Sequence, residues 1–391
     1  MKIVYFTDLL LFSIQGVSNS LINLSTALKK KGHRITILAP KSKNIAGKHR
    51  LKGISLEFFP SVASFWNPRL RIGSPISPSL FAIIKKKDPD IIHFHTAFLI
   101  GASAIILGKI LKKPVVGTFH QYFMQPEYLK AAGFNVQTNS LTKFLWKYAA
   151  FFYNQCDAVI APSESVKKDL QKNGVRKPIH VISNLIDEEY FKIVSKKRLQ
   201  ALKAKLGLSE KVILYVGRLS HEKSVDILVK SFTKIAKKMD NVSLLVVGDG
   251  QIKTELETLV KKLKNQHKVI LTGSIEPKIL LSSGYFQLAD AFVTASTSEV
   301  QPVSLIEAMY FKLPLIGVSK KGTQDMIKNV GLLSRPHNIN ALAKNILRVL
   351  TNKALYKQLS MASRKTFIQK YTAQKIVKQV EDLYKDLSKT S

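Results

Sequence analysis

The chain has 391 residues, 46% hydrophobic and 22% charged, which is too apolar for disorder and long enough for two domains of the usual ~100–200 residues. Its single cysteine, Cys156, excludes an intrachain disulfide, argues against a cysteine-built zinc site and fits a reducing compartment. Lys and Arg number 61 against 26 Asp and Glu, a net charge of +35, so the surface favours anionic partners: phospholipid headgroups, nucleic acid or phosphorylated ligands.

In chain order, KIVYF (2–6) is a short β-rich run. The apolar stretch that contains it resembles a secretory signal, but Asp8 interrupts it and no small-x-small cleavage site follows, so a buried first strand and loop is expected. Residues 18–31 read as a helix with Leu21, Leu24, Ala27 and Leu28 on one stripe, stopped by Gly32. RITILAP (34–40), IIHFH (91–95), PVVGTF (114–119) and AVIAP (158–162) are further strands with helical stretches between them. That rhythm predicts an α/β fold with a parallel sheet covered on both faces. The longest apolar run, residues 96–108, falls short of the ~20 residues that a spanning helix needs.

A second series of strands follows: KVILYVGR (211–218), VSLLVVGDG (242–250), KVILTGS (268–274), AFVTAS (291–296) and LPLIGV (313–318). HVISNLIDEEYF (180–191) is the join. The expected layout is a Rossmann-like first domain over 1–187, a Rossmann-like second domain over 188–365, and a last stretch, 366–391, packing back toward the first domain. An amphipathic helix over 367–388 is expected there, with Ile368, Tyr371, Ile376, Val380 and Leu383 on its apolar side. Ligands of open parallel sheets bind beyond the carboxyl ends of the strands, so two such domains facing each other would share one cleft.

Three segments carry candidate chemistry. In YVGRLSHEKSVDILVKSF (215–232), Gly217 permits a tight turn, and Arg218 and Lys223 precede a helix expected to start near Ser224. A helix N-terminus with two cations is an anion site, although a basic loop on a basic protein would read the same way. In SEVQPVSLIEAMYFKLP (298–314), Glu299 falls in the loop after a strand and Glu307 about one turn into the next helix. Carboxylates there can accept hydrogen bonds from sugar hydroxyls, or form an ordinary exposed pair. In GTFHQYF (117–123), His120 follows a strand of the first domain at its carboxyl end.

Together these segments resemble the retaining glycosyltransferases of the GT-B architecture and the family-4 type, over essentially the whole chain. The resemblance rests on Gly217-Arg218-x4-Lys223 followed by Glu299-x7-Glu307, with Ala308-Met309 and Leu313-Pro314 downstream. Gly16-Val17, Gly32-His33, Asp90-Ile-Ile-His93, Val247-Gly248-Asp249-Gly250 and Asn184-x-Ile-Asp187 add to it. Residues 94–101, 117–120 and the Glu299-x-Gln301 start look like diacylglycerol glucosyltransferases and are also similar to phosphatidylinositol mannosyltransferases. The resemblance implies that Arg218 and Lys223 hold the donor diphosphate, Glu299 binds hydroxyls of the transferred sugar, and Glu307 binds the ribose. His120 would contact the sugar. Gly16, Gly217, Ser274, Ile275, Val300, Gln301, Pro302 and Val303 would complete the donor site. His120, Arg218, Lys223 and Glu299 are the implied catalytic set. No metal is expected in the active site and no cofactor beyond the nucleotide-sugar substrate, since two cations and backbone amides can offset charge on the diphosphate.

Departures from that pattern are Pro302 in place of glycine, which removes one N–H, Asn184-Leu185 in place of Asn-Gly, Gln15-Gly16 in place of paired glycines, and Ala97 in place of proline. Asp88-Pro-Asp90 matches a metal-binding Asp-x-Asp pattern but precedes its strand, at the wrong end of the sheet. His93 and His95 share a strand face without an evident third ligand. Gly248-Asp-Gly250 lacks the third glycine of a dinucleotide fingerprint.

Residues 1–156 hold 21 Lys and Arg against 5 Asp and Glu. Basic and apolar residues interleave there at 68–71, 80–87, 105–113 and 141–153. Ile105, Ile106, Ile110 and Leu111 with Lys109, Lys112 and Lys113 are expected to make an interfacial helix face, and FLWKYAAFFY (144–153) adds aromatics suited to the headgroup level. The function the resemblance implies is transfer of a hexose from a nucleotide-sugar, with UDP-glucose as the family's guide and UDP-galactose and GDP-mannose open, to a lipid acceptor such as diacylglycerol on the inner face of the cell membrane. The alternatives are a transferase of the same type with a soluble or other lipid-linked acceptor, for example mannosyl transfer from GDP-mannose, an epimerase of the same architecture, and a basic nucleic-acid-binding protein. No nucleic-acid motif supports the last, and it leaves the paired glutamates unexplained.

Overall fold

The computed structural model describes residues 1–8, 16–41, 51, 53–59, 61–63, 71–73, 78–124 and 139–389. Gln15 and the 68–70 part of the first basic stretch lie outside them. The chain divides into two compact units, Met1–Ile186 with Ala373–Ser391, and Asp187–Thr372.

Unit 1 carries strands β1 (Lys2–Phe6), β2 (Arg34–Pro40), β3 (Ser55–Phe59), β4 (Ser61–Ala63), β5 (Arg71–Gly73), β6 (Ile91–Phe94), β7 (Val115–Thr118), β8 (Ala158–Ala161) and β9 (Ile179–Val181). All but β4 and β5, a small antiparallel pair, form one sheet in the order β3-β2-β1-β6-β7-β8-β9. Its pairings are parallel throughout. The described helices are α1 (Gly16–Lys30), α2 (Pro78–Lys87), α3 (Leu99–Leu111), α4 (Asn139–Tyr153) and α5 (Glu164–Lys172). In unit 2, β10 (Lys211–Val216), β11 (Val242–Val247), β12 (Val269–Gly273), β13 (Ala291–Val293), β14 (Leu315–Val318) and β15 (Gly331–Ser334) form a parallel sheet ordered β12-β11-β10-β13-β14-β15. The interior strands β6 (IIHF) and β11 (VSLLVV) are buried throughout, as helices on each side require.

The helices of unit 2 are α6 (Lys196–Lys205), α7 (Val225–Ala236), α8 (Lys253–Lys262), α9 (Pro277–Ser282), α10 (Val303–Tyr310), α11 (Lys321–Ile327), α12 (Ile339–Thr351) and α13 (Lys353–Thr366). Helix α7 shows why they form: Val225, Leu228, Val229, Phe232 and Ile235 recur at helical spacing, and all are buried.

The last helix, α14 (Ala373–Lys389), returns to unit 1. It is shorter than the expected 367–388 span, because a π-helical turn, Phe367–Tyr371, ends in an extended Thr372. Ile368, read as apolar-side, is exposed. Ile376, Val377, Val380, Leu383 and Tyr384 join the core around β1 and β2. His33 Nε2 lies 2.7 Å from Glu381 Oε1. The Tyr384 hydroxyl is fully buried, 3.2 Å from that of Tyr5 and 2.6 Å from His93 Nδ1.

In each sheet the strand order reverses beside one central strand, between β1 and β6 in unit 1 and between β10 and β13 in unit 2. Outside the carboxyl ends of such a strand pair the adjoining loops diverge and leave a crevice. The two crevices begin after Phe6 and Phe94 in unit 1, and after Val216 and Val293 in unit 2.

Candidate active site

The unit 2 crevice is built on a backbone-to-backbone contact. Gly217 N–H donates to Val247 O at 3.0 Å and Leu219 N–H to Asp249 O at 2.9 Å. A Cβ on Gly248 would lie 1.8 Å from Gly217 O, and one on Gly250 2.1 Å from Leu219 O. Gly248 also has φ +150°, which L side chains avoid. The Val247–Gly250 turn is therefore a rest for the Gly217 loop. Gly248→Ala is expected to destabilise unit 2 by about 1–3 kcal/mol, read as a lower urea midpoint, because strain and clash act together.

After Gly217 the chain passes Arg218, makes a 3₁₀ turn at His221–Lys223, and enters α7 through Ser224 at φ 50°. Thr297 N–H, from the loop after β13, donates to Glu222 O at 3.1 Å and ties the two loops together. That tie brings Lys223 Nζ to 2.6 Å from Glu299 Oε1, with side chains only 16% and 15% exposed. Arg218 Nη2 lies 2.7 Å from Glu222 Oε1, which also accepts from Ser220 Oγ at 2.6 Å. Burial alone would raise the Glu222 carboxyl, but Ser220, a backbone N–H, Arg218 and Lys223 together hold it below its ordinary value.

Glu222 is a site carboxylate that sequence reasoning missed; its signal was its place four residues after Arg218 in the same loop. The structure thus makes two ion pairs of two cations and two carboxylates. Arg218 is 58% exposed, so its pair contributes little and leaves the guanidinium ready for a doubly charged ligand. Helix α10 starts just past Glu299, with Pro302 at its N-cap position. Among the described residues, the N–H groups of Val303 and Ser304 have no acceptor, which makes this helix end positive. Pro302 replaces an N–H just ahead of that turn, and Val300 and Gln301 precede it in a buried loop. Gly322 N–H, in α11, holds the loop through Glu299 O at 3.1 Å.

Glu307 projects from α10, mostly buried, and its carboxyl has no partner among the described residues. Burial pushes it up to about 7. Ser274 and Ile275 follow β12, the edge strand two places from β10, and no described hydrogen bond links them to the Arg218–Glu299 cluster. Gly16 opens α1 rather than lying in the first loop, because the helix begins two residues before the expected start at Ser18.

In the unit 1 crevice His120 follows β7, and its Nε2 lies 2.9 Å from His95 Nδ1. Burial lowers His120 to about 4 and His93 to about 3, so these rings are neutral at physiological pH. His93 is engaged at both nitrogens, by Tyr384 and by Thr118 Oγ1 at 2.7 Å. Asp8, read in the sequence only as a break in an apolar run, stands at the end of β1. Thr96 Oγ1 donates to its Oδ2 at 3.0 Å and accepts from its N–H at 3.2 Å, while burial pushes the carboxyl up to about 7. Asp88 and Asp90 sit at the opposite, amino end of the sheet, where Asp88 pairs with Lys2 and Lys113 and Asp90 accepts from Lys2 N–H.

Among the described residues no helix is long and apolar enough to cross a membrane. The expected interfacial face of α3 is overturned in part. Ile105 is buried and Ile106 and Leu111 are partly buried, because the helix packs on β6, β7 and β1; only Ile110 opens to solvent. Helix α4 instead exposes Phe144 (64%) and Phe151 (69%), seven residues apart, with Lys143 and Lys147 also exposed.

Comparison with known proteins agrees with this layout. Residues 14–190 match the family described as Glycosyltransferase Family 4, and residues 195–366 match Glycosyl transferases group 1. The chain is 28% identical over 390 residues to the alpha-monoglucosyldiacylglycerol synthase of Streptococcus pneumoniae, covering 99% of this chain and 86% of the relative. It is 26% identical over 407 residues to the enzyme of that name from Acholeplasma laidlawii, covering 99% and 97%. A GDP-mannose-dependent alpha-mannosyltransferase of Corynebacterium glutamicum is 26% identical over 333 residues, 84% of this chain and 74% of that one. The fold matches that of Anabaena HepE in complex with UDP, with a TM-score of 0.78 at 18% identity over 99% of this chain and 100% of that one.

Proposed function

Because the chain belongs to the GT-B glycosyltransferases, a family-4 segment followed by a group-1 segment, we propose that it moves glucose from UDP-glucose to a diacylglycerol-type lipid at a membrane surface. The observation that carries this reading is the Lys223–Glu299 pair at the unit 2 switch point, beside Arg218 and the positive end of α10.

In this reading Arg218, itself exposed, leaves Glu222 and grips the donor diphosphate. Lys223 and the N–H groups of Val303 and Ser304 add fixed positive charge, which counts most as the anomeric C–O bond breaks and charge builds on the departing oxygens. Glu299 retains lone pairs beyond its bond to Lys223 and accepts sugar hydroxyls. Glu307 accepts the ribose hydroxyls, and Ser274 and Ile275 follow the carboxyl end of β12 in the same sheet. His120, a neutral imidazole, hydrogen-bonds a substrate hydroxyl. These cations take the part that a divalent metal would play, so EDTA is expected to leave transfer unchanged.

The lipid acceptor is supported by the two synthase relatives and by the exposed phenylalanines of α4 beside Lys143 and Lys147. Replacing Phe144 and Phe151 together with serine is expected to lower co-flotation with anionic vesicles by about 10-fold or more, since each ring loses apolar burial. UDP-glucose binding should not change.

The deciding assay incubates the chain with UDP-glucose, with and without diacylglycerol vesicles. UDP release and a glucosylated lipid only when lipid is present support the reading. Epimerised sugar without an acceptor, or turnover of the donor to a water-soluble product, overturns it. The mannosyltransferase relative supports a second reading, and consumption of GDP-mannose in place of UDP-glucose would select it.

A further inference from the structure

The side chain of His95 has no place in the scheme above, yet it is the only described partner of His120. It is buried between two other imidazoles. The His93 ring stacks on it at 4.4 Å between centroids and 30°, the His120 ring at 5.1 Å and 19°, and Tyr5 meets its edge at 5.2 Å. Its Nδ1 lies 2.9 Å from His120 Nε2. Its Nε2 is sealed from solvent and has no hydrogen-bond partner among the described residues.

Burial keeps both rings neutral, so each carries one N–H. Two arrangements satisfy the 2.9 Å contact. If His120 Nε2–H donates, His95 must carry its own proton on the sealed Nε2, leaving a buried N–H with no acceptor. If His95 Nδ1–H donates, the sealed Nε2 holds only a lone pair. Orphaned buried N–H groups are the rarer and costlier case. The second arrangement therefore holds, and it leaves His120 with its proton on Nδ1, the nitrogen with no described partner.

We infer that His95 is a positioning residue that locks His120 in the Nδ1–H tautomer, so that His120 offers substrate a hydrogen-bond donor rather than a lone pair. The part of this inference that concerns substrate rests on the proposed transfer reaction; the tautomer does not. His93, pinned by Tyr384 and Thr118, supplies the fixed face on which His95 stacks. An N–H aimed at a hydroxyl oxygen discriminates against a sugar that lacks that hydroxyl.

The test is nitrogen NMR of the full chain labelled with ¹⁵N-histidine, with His120 assigned by loss of its signals in His120→Gln. The expected spectrum has His120 protonated on Nδ1 and bare on Nε2 in the wild type, and mixed tautomers in His95→Leu. Protonation of His120 on Nε2 in the wild type overturns the inference, whether or not His95→Leu folds. An unchanged tautomer in a folded His95→Leu overturns it as well. Kinetics with UDP-glucose and diacylglycerol vesicles give the second readout. His95→Leu should lower kcat/KM by about 10-fold, and His95→Asn, whose amide N–H lies near the Nδ1 position, should restore it to within about 3-fold. Equal losses in both variants would make His95 merely structural and overturn the inference. If the tautomer is as stated and no variant affects transfer, the substrate role of His120 fails and the tautomer assignment stands.

Discussion

Lys223→Ala is expected to lower kcat/KM for transfer by about 10²–10³-fold, with far-UV circular dichroism unchanged. The size follows from what the ammonium does. It is a fixed charge in a partly closed crevice, needed most when the diphosphate departs, so the loss should appear in kcat more than in KM. The substitution also frees the Glu299 carboxylate, 15% exposed, to repel the incoming diphosphate. The double variant Lys223→Ala, Glu299→Ala should therefore bind UDP better than Lys223→Ala alone while remaining inactive. Calorimetric UDP titration separates the two effects. Wild-type turnover in Lys223→Ala would remove the site assignment altogether.

Glu307→Gln is expected to weaken donor binding and to stabilise the empty protein, with opposite consequences read in one sample. Folding raises this carboxyl from 4.5 to about 7, so the fold favours the protonated form and is penalised by the ionised one. The penalty is absent below pH 4.5, grows between 4.5 and 7, and is complete above 7. Glutamine avoids it, so the variant should melt higher than wild type at pH 8 and equally at pH 4.5; at 1.36 kcal/mol per pKa unit the gain is at most about 3 kcal/mol. A carboxylate accepting two ribose hydroxyls makes charge-assisted bonds that the amide cannot match, so UDP affinity should fall about 10-fold. In the wild type, UDP affinity should rise as pH rises through about 7, because the ionised form is the one that binds. A stable variant with undiminished affinity would show that Glu307 is only a buried acid.

Much of this arrangement was legible in the residue order. The strands were readable because a parallel sheet covered on both faces demands continuous apolar runs, and KVILYV and VSLLVV are such runs. Arg218, Lys223 and Glu299 were legible because they follow strand ends, where α/β sheets leave crevices. Asp8 was not, because a carboxylate after an apolar run looks like a punctuation mark until β6 brings Thr96 beside it. The face of α3 was misread in part because lysines at its end mimic an amphipathic surface helix, while Ile105 is buried in a helix that packs on β6 and β7. Ile368 was misread because periodicity carries no warning of a π-helical turn.

By itself the sequence determined the two alternations of strand and helix, the glycine-dependent turns and the basic character of the chain, since apolar burial, backbone freedom and charge count act over neighbouring residues. Only the tertiary structure decided that Lys223 meets Glu299 across 76 residues, that Glu307 has no partner among the described residues, and that His95 reaches His120. Those pairings depend on strand order, and strand order is set by how whole elements pack, which no local pattern of residues encodes.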